Sequence, residues 1–275
     1  MATVTLPRSY RVGLIGAGIG SSLSPALHEH EAACLGLPYA YRVLDTDELD
    51  TDVADLLAQA REAGYDGLNV THPFKQRVLE HLDEVSGAAA ALGAVNTVVL
   101  RDGRAVGHNT DETGFAESFR RGLPGAALGH VVLTGAGGAG AAVGHALRAL
   151  GAERLTIVDV DAARAAQLAS TLDAEVGALD LDGVDGVVNA TPAGMVGHGG
   201  TPVSAELLRP GLWVADVVYR PLETELLRAA RALGCRTLDG GGMVVFQAAG
   251  SFELFTGRRP DRERMLRHFA TLAGR

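Results

Sequence analysis

Lysine is almost absent from this chain. Lys75 is the one lysine among 24 basic side chains, and every other is arginine. An ammonium can lose its proton and act as a base, whereas a guanidinium effectively cannot. A lysine that alone persists therefore marks a candidate catalytic position. Cysteine is nearly as scarce. Cys34 and Cys235 lie far apart, which excludes a disulfide framework and a cysteine-based metal site and leaves two reduced small hydrophobes. No apolar run approaches the ~20 residues needed to cross a bilayer. The stretch Met1 to Val12 lacks the charged-then-apolar pattern of a secretory signal, so the expected location is the cytoplasm. There is also no basic block. With 33 acidic against 24 basic residues, a net charge of −9 and a sequence pI of about 5.4, nucleic acid and anionic membrane are disfavoured as partners.

The 275 residues are 47% hydrophobic and 21% charged, the balance of a globular chain long enough for two modest domains. The first third alternates strands and helices. Arg11 to Ile15 reads as a strand entering a glycine-rich turn, and Pro25 to Leu35 as a helix with Ser24 at its N-cap. Tyr39–Val43 is a strand, Val53–Ala63 a helix, Gly67–Val70 a short buried strand, Gln76–Leu82 a helix and Ala94–Leu100 a strand. Arg101-Asp102-Gly103-Arg104 is a hairpin turn signal. Asp111 to Arg121 reads as a helix, followed by a Leu123-Pro124-Gly125 linker. Then come strand His130–Thr134, helix Gly138–Leu150, strand Leu155–Val158 and helix Ala162–Leu172. Val187–Asn189 and Trp213–Val217 are later strands, and Val244–Phe255 and Asp261–Leu272 are helical. Strands alternating with helices imply α/β architecture with a parallel sheet.

Gly135-Ala136-Gly137-Gly138-Ala139-Gly140 fits G-x-G-x-x-G. The motif alone is weak in a glycine-rich chain. Here it follows a strand, opens a helix, and precedes a second strand ending in Asp159, at about the spacing of a Rossmann-type dinucleotide-binding unit. Glycines let the backbone approach a pyrophosphate, and the helix N-terminus offers free amides and a positive dipole end. A carboxylate at Asp159 can accept both hydrogen bonds of an adenosine ribose diol and would repel a 2′-phosphate, so the expected cofactor is NAD. The plainer role for Asp159, capping the next helix, suits Asp161 better. Arg164 stands a helical turn inside that helix and is counted with the adenosine side. Gly16-Ala17-Gly18-Ile19-Gly20 imitates the motif, but its third glycine is one place early. No acid ends the following strand at the right distance, the next being Asp45. It reads as a turn that makes room for a ligand.

Four short motifs remain: Ser22-Leu23-Ser24-Pro25, Asn69-Val70-Thr71-His72-Pro73-Phe74-Lys75, Gly93-Ala94-Val95-Asn96-Thr97 and Gly107-His108-Asn109-Thr110-Asp111. Each falls at a strand end or helix start, where open α/β sheets hold ligands. Together they supply hydroxyls, amides, one lysine and one carboxylate, which suits a polyol bearing a single acid group. An arginine cluster for a phosphorylated substrate and a ligand set for a metal are both missing. Simpler roles exist for several members. Ser22 and Ser24 can serve as helix caps, and Asn96 and Asn109 can satisfy turn backbones. Tyr219 and Gln247 can be packing residues. His72, His108 and His198 are not expected to be catalytic.

On these four motifs, in this order and over nearly the whole chain, the sequence resembles the shikimate dehydrogenase family. It looks closest to the NAD-dependent quinate/shikimate dehydrogenases. His72, His108, Val217-Val218-Tyr219 and Pro221-Leu222-Glu223-Thr224-Glu225 point that way, as does Asp159 in place of the Asn-Arg-Thr run of NADP enzymes. The resemblance implies two α/β domains. Residues 1–110, completed by helices in 241–275, would be the substrate domain, and 111–240 the NAD-binding Rossmann domain. It makes Lys75 and Asp111 the catalytic pair. Ser22 and Ser24 would bind a substrate carboxylate. Thr71, Asn96 and Asp111 would hold ring hydroxyls, with Gln247 and Tyr219 completing the set. Gly135 to Ala139, Asp159, Arg164, Asn189, Thr191, Val217 and Gly240 would line the cofactor site. In quinate-competent members the position of Ser24 is threonine; serine is the ordinary shikimate form.

The implied reaction is oxidation of the ring 3-hydroxyl of shikimate or quinate to a 3-dehydro ketone, with NAD as acceptor. Lys75 would be the general base toward that hydroxyl, or the group that orients it and stabilises developing charge. Rival readings are an NADP-dependent biosynthetic shikimate dehydrogenase, a dehydrogenase of an amino-substituted ring acid, and a non-catalytic ligand sensor. Lys75 and Asp111 together disfavour the sensor. A homodimer is compatible with the sequence, which does not define an oligomeric state.

Overall fold

The structure, a computed structural model, describes residues 8–274. Residues 1–7, part of the stretch read for a signal, lie outside it. The chain divides into two compact units: residues up to Thr110 with those from Ala248 onward, and Asp111–Gln247.

The first unit runs β1 (Tyr10–Gly16), α1 (Ser24–Cys34), β2 (Tyr39–Asp45), α2 (Thr46–Leu49), α3 (Val53–Glu62), β3 (Gly67–Val70), β4 (Glu84–Val85), α4 (Gly87–Leu92), β5 (Thr97–Arg101) and β6 (Arg104–His108). Its sheet has the order β2-β1-β3-β5-β6-β4. β2 and β3 flank β1 in parallel, while β5 pairs antiparallel with both β3 and β6. The β5–β6 hairpin turns through Asp102 at φ 52° and Gly103 at φ 75°, the left-handed pair that a two-residue turn between twisted strands requires. One core forms around Ile15, Leu56, Leu68, Val70, Val78, Val95 and Val98.

Two local expectations are corrected. Gln76–Leu82 is a five-residue 3₁₀ segment, Arg77–His81, in which Val78 is the buried residue. So narrow an apolar face gives a longer helix little to pack. Ser24 is the first residue of α1, not its N-cap. The turn closed by Ser22 N–H on the Ile19 carbonyl already brings Leu23, the N-cap, to φ −86° and ψ −6°.

The second unit contains α5 (Asp111–Gly122), β7 (His130–Thr134), α6 (Gly138–Leu150), β8 (Arg154–Val158), α7 (Ala162–Leu172), β9 (Glu175–Val176), β10 (Gly186–Asn189), β11 (Trp213–Asp216), α8 (Glu225–Ala232) and β12 (Arg236–Leu238). α9 (Gly241–Thr256) and α10 (Arg262–Ala273) end the chain. The division of units falls within α9, after Gln247, instead of ahead of Gly241. The second sheet is parallel throughout, in the order β12-β11-β10-β7-β8-β9. From β7 the chain winds outward through β8 and β9, then returns to β7's other side for β10 to β12. This is the doubly wound Rossmann arrangement, whose switch point lies at β7 and β10.

In the first unit, α10 is tied to α1 by an ion pair between the partly exposed Arg264 and the buried Glu31. Glu31 accepts from Arg264 Nε at 2.8 Å and Nη2 at 2.7 Å. Phe252 and Phe255 of α9 pack on His28 and Tyr39 beside it. The C-terminal residues thereby complete this unit's core. Among the described residues, no helix is long and apolar enough to cross a membrane.

Candidate active site

In the first unit, the ends of β1, β3, β5 and β6 converge through backbone hydrogen bonds. Thr71 N–H donates to the Ile15 carbonyl at 2.9 Å and Ala17 N–H to the His72 carbonyl at 3.1 Å. Gly16 is required there, since a Cβ would lie 2.5 Å from the Thr71 methyl. Val95 N–H donates to the Lys75 carbonyl at 2.8 Å, which brings the lysine motif beside Asn96. Lys75 and Thr71 are half-buried and Phe74 between them is buried, so the hydrophobic anchor sets the lysine's backbone position.

Asn96 is buried and held from both ends. Its Oδ1 accepts from Thr97 Oγ1 at 2.8 Å and Thr110 N–H at 2.9 Å, and its Nδ2 donates to Thr110 Oγ1 at 3.0 Å. Asn69 Nδ2 donates to the Asn96 carbonyl and to Thr97 Oγ1, each at 3.2 Å, which turns its Oδ1 toward the Tyr41 hydroxyl, a donor at 2.8 Å. Burial pushes the Tyr41 phenol well above its ordinary range, against a hydrogen bond with Ser24. Asn109 donates to the Ala94 carbonyl at 3.0 Å, the turn-satisfying role. Tyr41 was not singled out in the sequence, and Asn69 and Thr97 stood in two of the quoted motifs without a role of their own. The signal was a polar residue inside an apolar strand, which identifies burial but not the partner.

The loop Gly16–Gly20 brings a correction. β2 runs on to Asp45, which pairs with Gly16, so an acid does end that strand. Its carboxylate accepts from Gly18 N–H at 3.0 Å and Ile19 N–H at 2.6 Å. The amides that a phosphate would need are taken by the protein's own anion.

In the second unit, Gly135 stands at φ 97° at the end of β7. A Cβ on Gly140 would collide with the Gly135 carbonyl, so α6 and the turn touch backbone to backbone. The N-cap of α6 is Gly137, and no side chain caps the helix. Backbone amides at a helix start, with no side chain in competition, are what a pyrophosphate needs. Asp159 follows β8, and its side chain is 8% exposed. It accepts from Ala136 N–H at 2.6 Å, Asp161 N–H at 2.8 Å and Arg164 Nη2 at 3.3 Å. Arg164 also meets Asp161 Oδ2 at 3.2 Å and is 54% exposed. Asp161 caps α7 through Ala163 and Arg164 N–H, as expected. A dinucleotide fits these residues: a glycine cradle for the phosphates and an acceptor-only side chain beside it.

Asn189 is fully buried at the end of β10. Its Oδ1 accepts from Thr191 N–H at 2.9 Å and Thr191 Oγ1 at 2.7 Å. Val217 N–H donates to the Asn189 carbonyl at 2.9 Å, and the buried Gly240 sits against the Val217 and Val218 carbonyls, where a Cβ would collide. The geometry therefore groups Asn189, Thr191, Val217 and Gly240. Tyr219 is half-buried, and burial raises its phenol above the usual range. Asp111 opens α5 and is buried. Gln247 on α9 donates from Nε2 to the Val244 carbonyl at 3.0 Å. Both belong to this unit, whereas Ser22, Ser24, Thr71, Lys75 and Asn96 belong to the other.

Two family models match parts of the chain. A model described as the shikimate dehydrogenase substrate binding domain matches residues 14–98. One described as the shikimate 5′-dehydrogenase C-terminal domain matches 240–268. A shikimate dehydrogenase (NADP(+)) from Streptomyces avermitilis is 61% identical over 97% of each chain. The chain belongs to the shikimate dehydrogenase family. Within that family it is also 50% identical to a quinate/shikimate dehydrogenase (NAD(+)) from Corynebacterium efficiens, over 96% of this chain and 99% of the relative. Among solved structures, quinate dehydrogenase from Corynebacterium glutamicum in complex with NAD superposes with a TM-score of 0.89 at 47% identity, covering 96% of this chain and 99% of the other. Relatives in this family thus carry names of both cofactor types.

Proposed function

We propose that this protein is an NAD-dependent oxidoreductase that oxidises the ring 3-hydroxyl of shikimate, quinate or both to the 3-dehydro ketone. The unit rich in hydroxyls and amides is the substrate domain, and the doubly wound unit the dinucleotide domain. The observation that carries the cofactor choice is Asp159. It is a carboxylate at the end of the second strand of a glycine-cradled Rossmann unit, where two oxygens can accept from a ribose diol.

When bound, the nicotinamide supplies the hydride acceptor. Ser22 and Ser24 bind the substrate carboxylate, and Thr71, Asn96, Tyr219 and Gln247 hold ring hydroxyls and orient the ring. Lys75 takes the proton of the reacting hydroxyl or stabilises the charge it develops. Asp111 accepts a hydrogen bond from a neighbouring ring hydroxyl and balances the ammonium. Proton transfer by a positioned side chain contributes ~10²–10⁴-fold.

A second reading, NADP dependence, is favoured by two observations. The Streptomyces avermitilis relative carries an NADP(+) name. Arg164 already touches Asp159 at 3.3 Å and is more than half exposed, so it can turn toward a 2′-phosphate. Steady-state kcat/KM with shikimate and quinate, each against NAD and NADP at one ionic strength, separates the readings. Higher kcat/KM with NADP overturns the cofactor assignment, and no turnover of either acid overturns the activity.

A further inference from the structure

The second unit contains a buried carboxylate to which the proposed reaction gives no role. Asp216 ends β11 and is 1% exposed. Its three neighbours are all donors. Oδ1 accepts from Asn189 Nδ2 at 2.9 Å and from Val218 N–H at 3.0 Å, and Oδ2 accepts from Thr224 Oγ1 at 2.8 Å. Thr224 in turn caps α8, accepting from Leu227 N–H at 3.3 Å. Burial pushes the Asp216 carboxyl above the ordinary carboxylate range, against the pull of these three donors.

An ionised carboxylate only accepts, so it decides the direction of the bonds around it. Asn189 must present Nδ2 to Asp216, and its Oδ1 therefore faces the other way. There it takes both the amide and the hydroxyl of Thr191. The Thr191 proton is thereby committed, and Thr191 Oγ1 accepts from Ala193 N–H at 3.2 Å. On the other side, the bond to Val218 N–H shapes the turn that continues to Tyr219. The backbone bond from Val217 to the Asn189 carbonyl closes the same ring of contacts. One side chain thus links the loop after β10, the loop after β11 and the first turn of α8.

We propose that Asp216 is a positioning residue: its carboxylate locks these two strand-end loops together, so that Asn189, Thr191, Val217 and Tyr219 are presented as one rigid group. The proposal rests on the proposed function, in which Asn189, Thr191 and Val217 line the nicotinamide half of the cofactor site, as the family resemblance implies, and Tyr219 orients the ring. A displacement of about 1 Å in a hydride-transfer geometry costs on the order of 10²-fold in rate, so the lock acts on turnover more than on the adenosine end of the cofactor, which Gly135 to Ala139 and Asp159 hold.

The test compares Asp216→Ala with Asp216→Asn. In Asp216→Asn, Oδ1 keeps both its donors, and Nδ2 faces Thr224, whose hydroxyl can reverse and accept. Turnover is measured with the dinucleotide that the wild type uses best. Binding of ADP-ribose, which lacks the nicotinamide, is measured by calorimetry, and hydrogen exchange is followed at the Val218 and Thr191 amides. For Asp216→Ala the expected result is a 10- to 100-fold fall in kcat, ADP-ribose affinity within twofold of wild type, and faster exchange at both amides. Asp216→Asn should stay within threefold on all three measures. The proposal is overturned if Asp216→Ala keeps kcat within threefold, if ADP-ribose affinity falls in parallel with kcat, or if Asp216→Asn is as impaired as the alanine variant. If Asp216→Ala does not fold, Thr224→Val removes one donor to the carboxylate together with the side-chain cap of α8 and should lower kcat three- to tenfold with ADP-ribose affinity intact; unchanged kcat overturns the proposal equally. A wild type that turns over neither acid defeats the proposed function instead. The exchange data then still decide the lock, which fails if both amides stay protected in Asp216→Ala.

Discussion

The Asp159 carboxylate accepts the Ala136 N–H at 2.6 Å, across the turn from β7 to α6. The residue that would meet the ribose thus also braces the glycine turn beneath the phosphates. Asp159→Ala removes the ribose acceptors and the brace together, but it relieves repulsion only for NADP. A carboxylate ~4 Å from a 2′-phosphate costs up to roughly 4 kcal/mol per unit charge at an effective dielectric of 20. The contact with Arg164 reduces that. The expected outcome is a fall of about tenfold in kcat/KM for NAD, about 1.4 kcal/mol, and a smaller fall or a gain for NADP. The two values should converge. A wild-type preference for NADP would falsify the assignment before any variant is made.

Lys75→Ala should lower turnover by ~10²–10⁴-fold while leaving fold and dinucleotide binding intact, because buried Phe74 anchors that segment and the lysine itself is half-exposed. Turnover within threefold of wild type would end the catalytic role. Lys75→Arg then separates the two forms of that role. An arginine retains the charge but cannot give up its proton, so it should fall as far as alanine if Lys75 moves the proton. It should retain at least about a tenth of activity if Lys75 orients the hydroxyl.

Ser24→Thr should change the ratio of quinate to shikimate activity. Ser24 opens α1 beside the Tyr41 hydroxyl. A methyl on its Cβ alters both the rotamer of the hydroxyl and the space next to the carboxylate it is proposed to bind. Equal ratios for the two proteins in steady-state assays would remove Ser24 from substrate choice.

His28 predicts a pH dependence of stability. It is fully buried among Tyr39, Tyr41, Phe252 and Phe255, and burial pushes its imidazole down to about 3. The unfolded chain protonates it near the ordinary ~6.5. Because the folded value is the lower one, its contribution is fully present above ~6.5 and is lost as the pH falls toward 3. At about 1.4 kcal/mol per pH unit, stability at pH 5 should fall by about 2 kcal/mol from this residue alone. His28→Asn should remove that part of the difference in unfolding free energy between pH 7.5 and 5. An unchanged difference would assign the acid sensitivity to other groups.

Much of the second unit was legible residue by residue. β7, α6 and α7 have the bounds that apolar runs and flanking glycines suggest, and Asp161 caps α7. The β5–β6 turn followed from Asp102-Gly103. These features depend on neighbours in sequence: a turn needs a residue that tolerates positive φ, and a helix start needs a side chain that reaches its own amides.

Where partners lie far apart in sequence, local patterns misled. β2 was expected to end at Val43, yet it runs on to Asp45, which binds the amides of Gly18 and Ile19. Ser24 resembled a cap, but the preceding turn had already started the helix at Leu23. Tyr41 and Asp216 carried no motif at all, and Asn69 opened one that did not show its partner.

The sequence by itself determined the resemblance to the family, through its motifs, and the doubly wound unit, the isolated lysine and the acid that follows β8, through spacing and side-chain chemistry. Only the tertiary structure decided which buried polar group answers which. Each buried donor or acceptor must find a partner, and that partner is chosen by which strands lie side by side. β11 lies beside β10, which sets Asp216 against Asn189 across 27 positions of sequence.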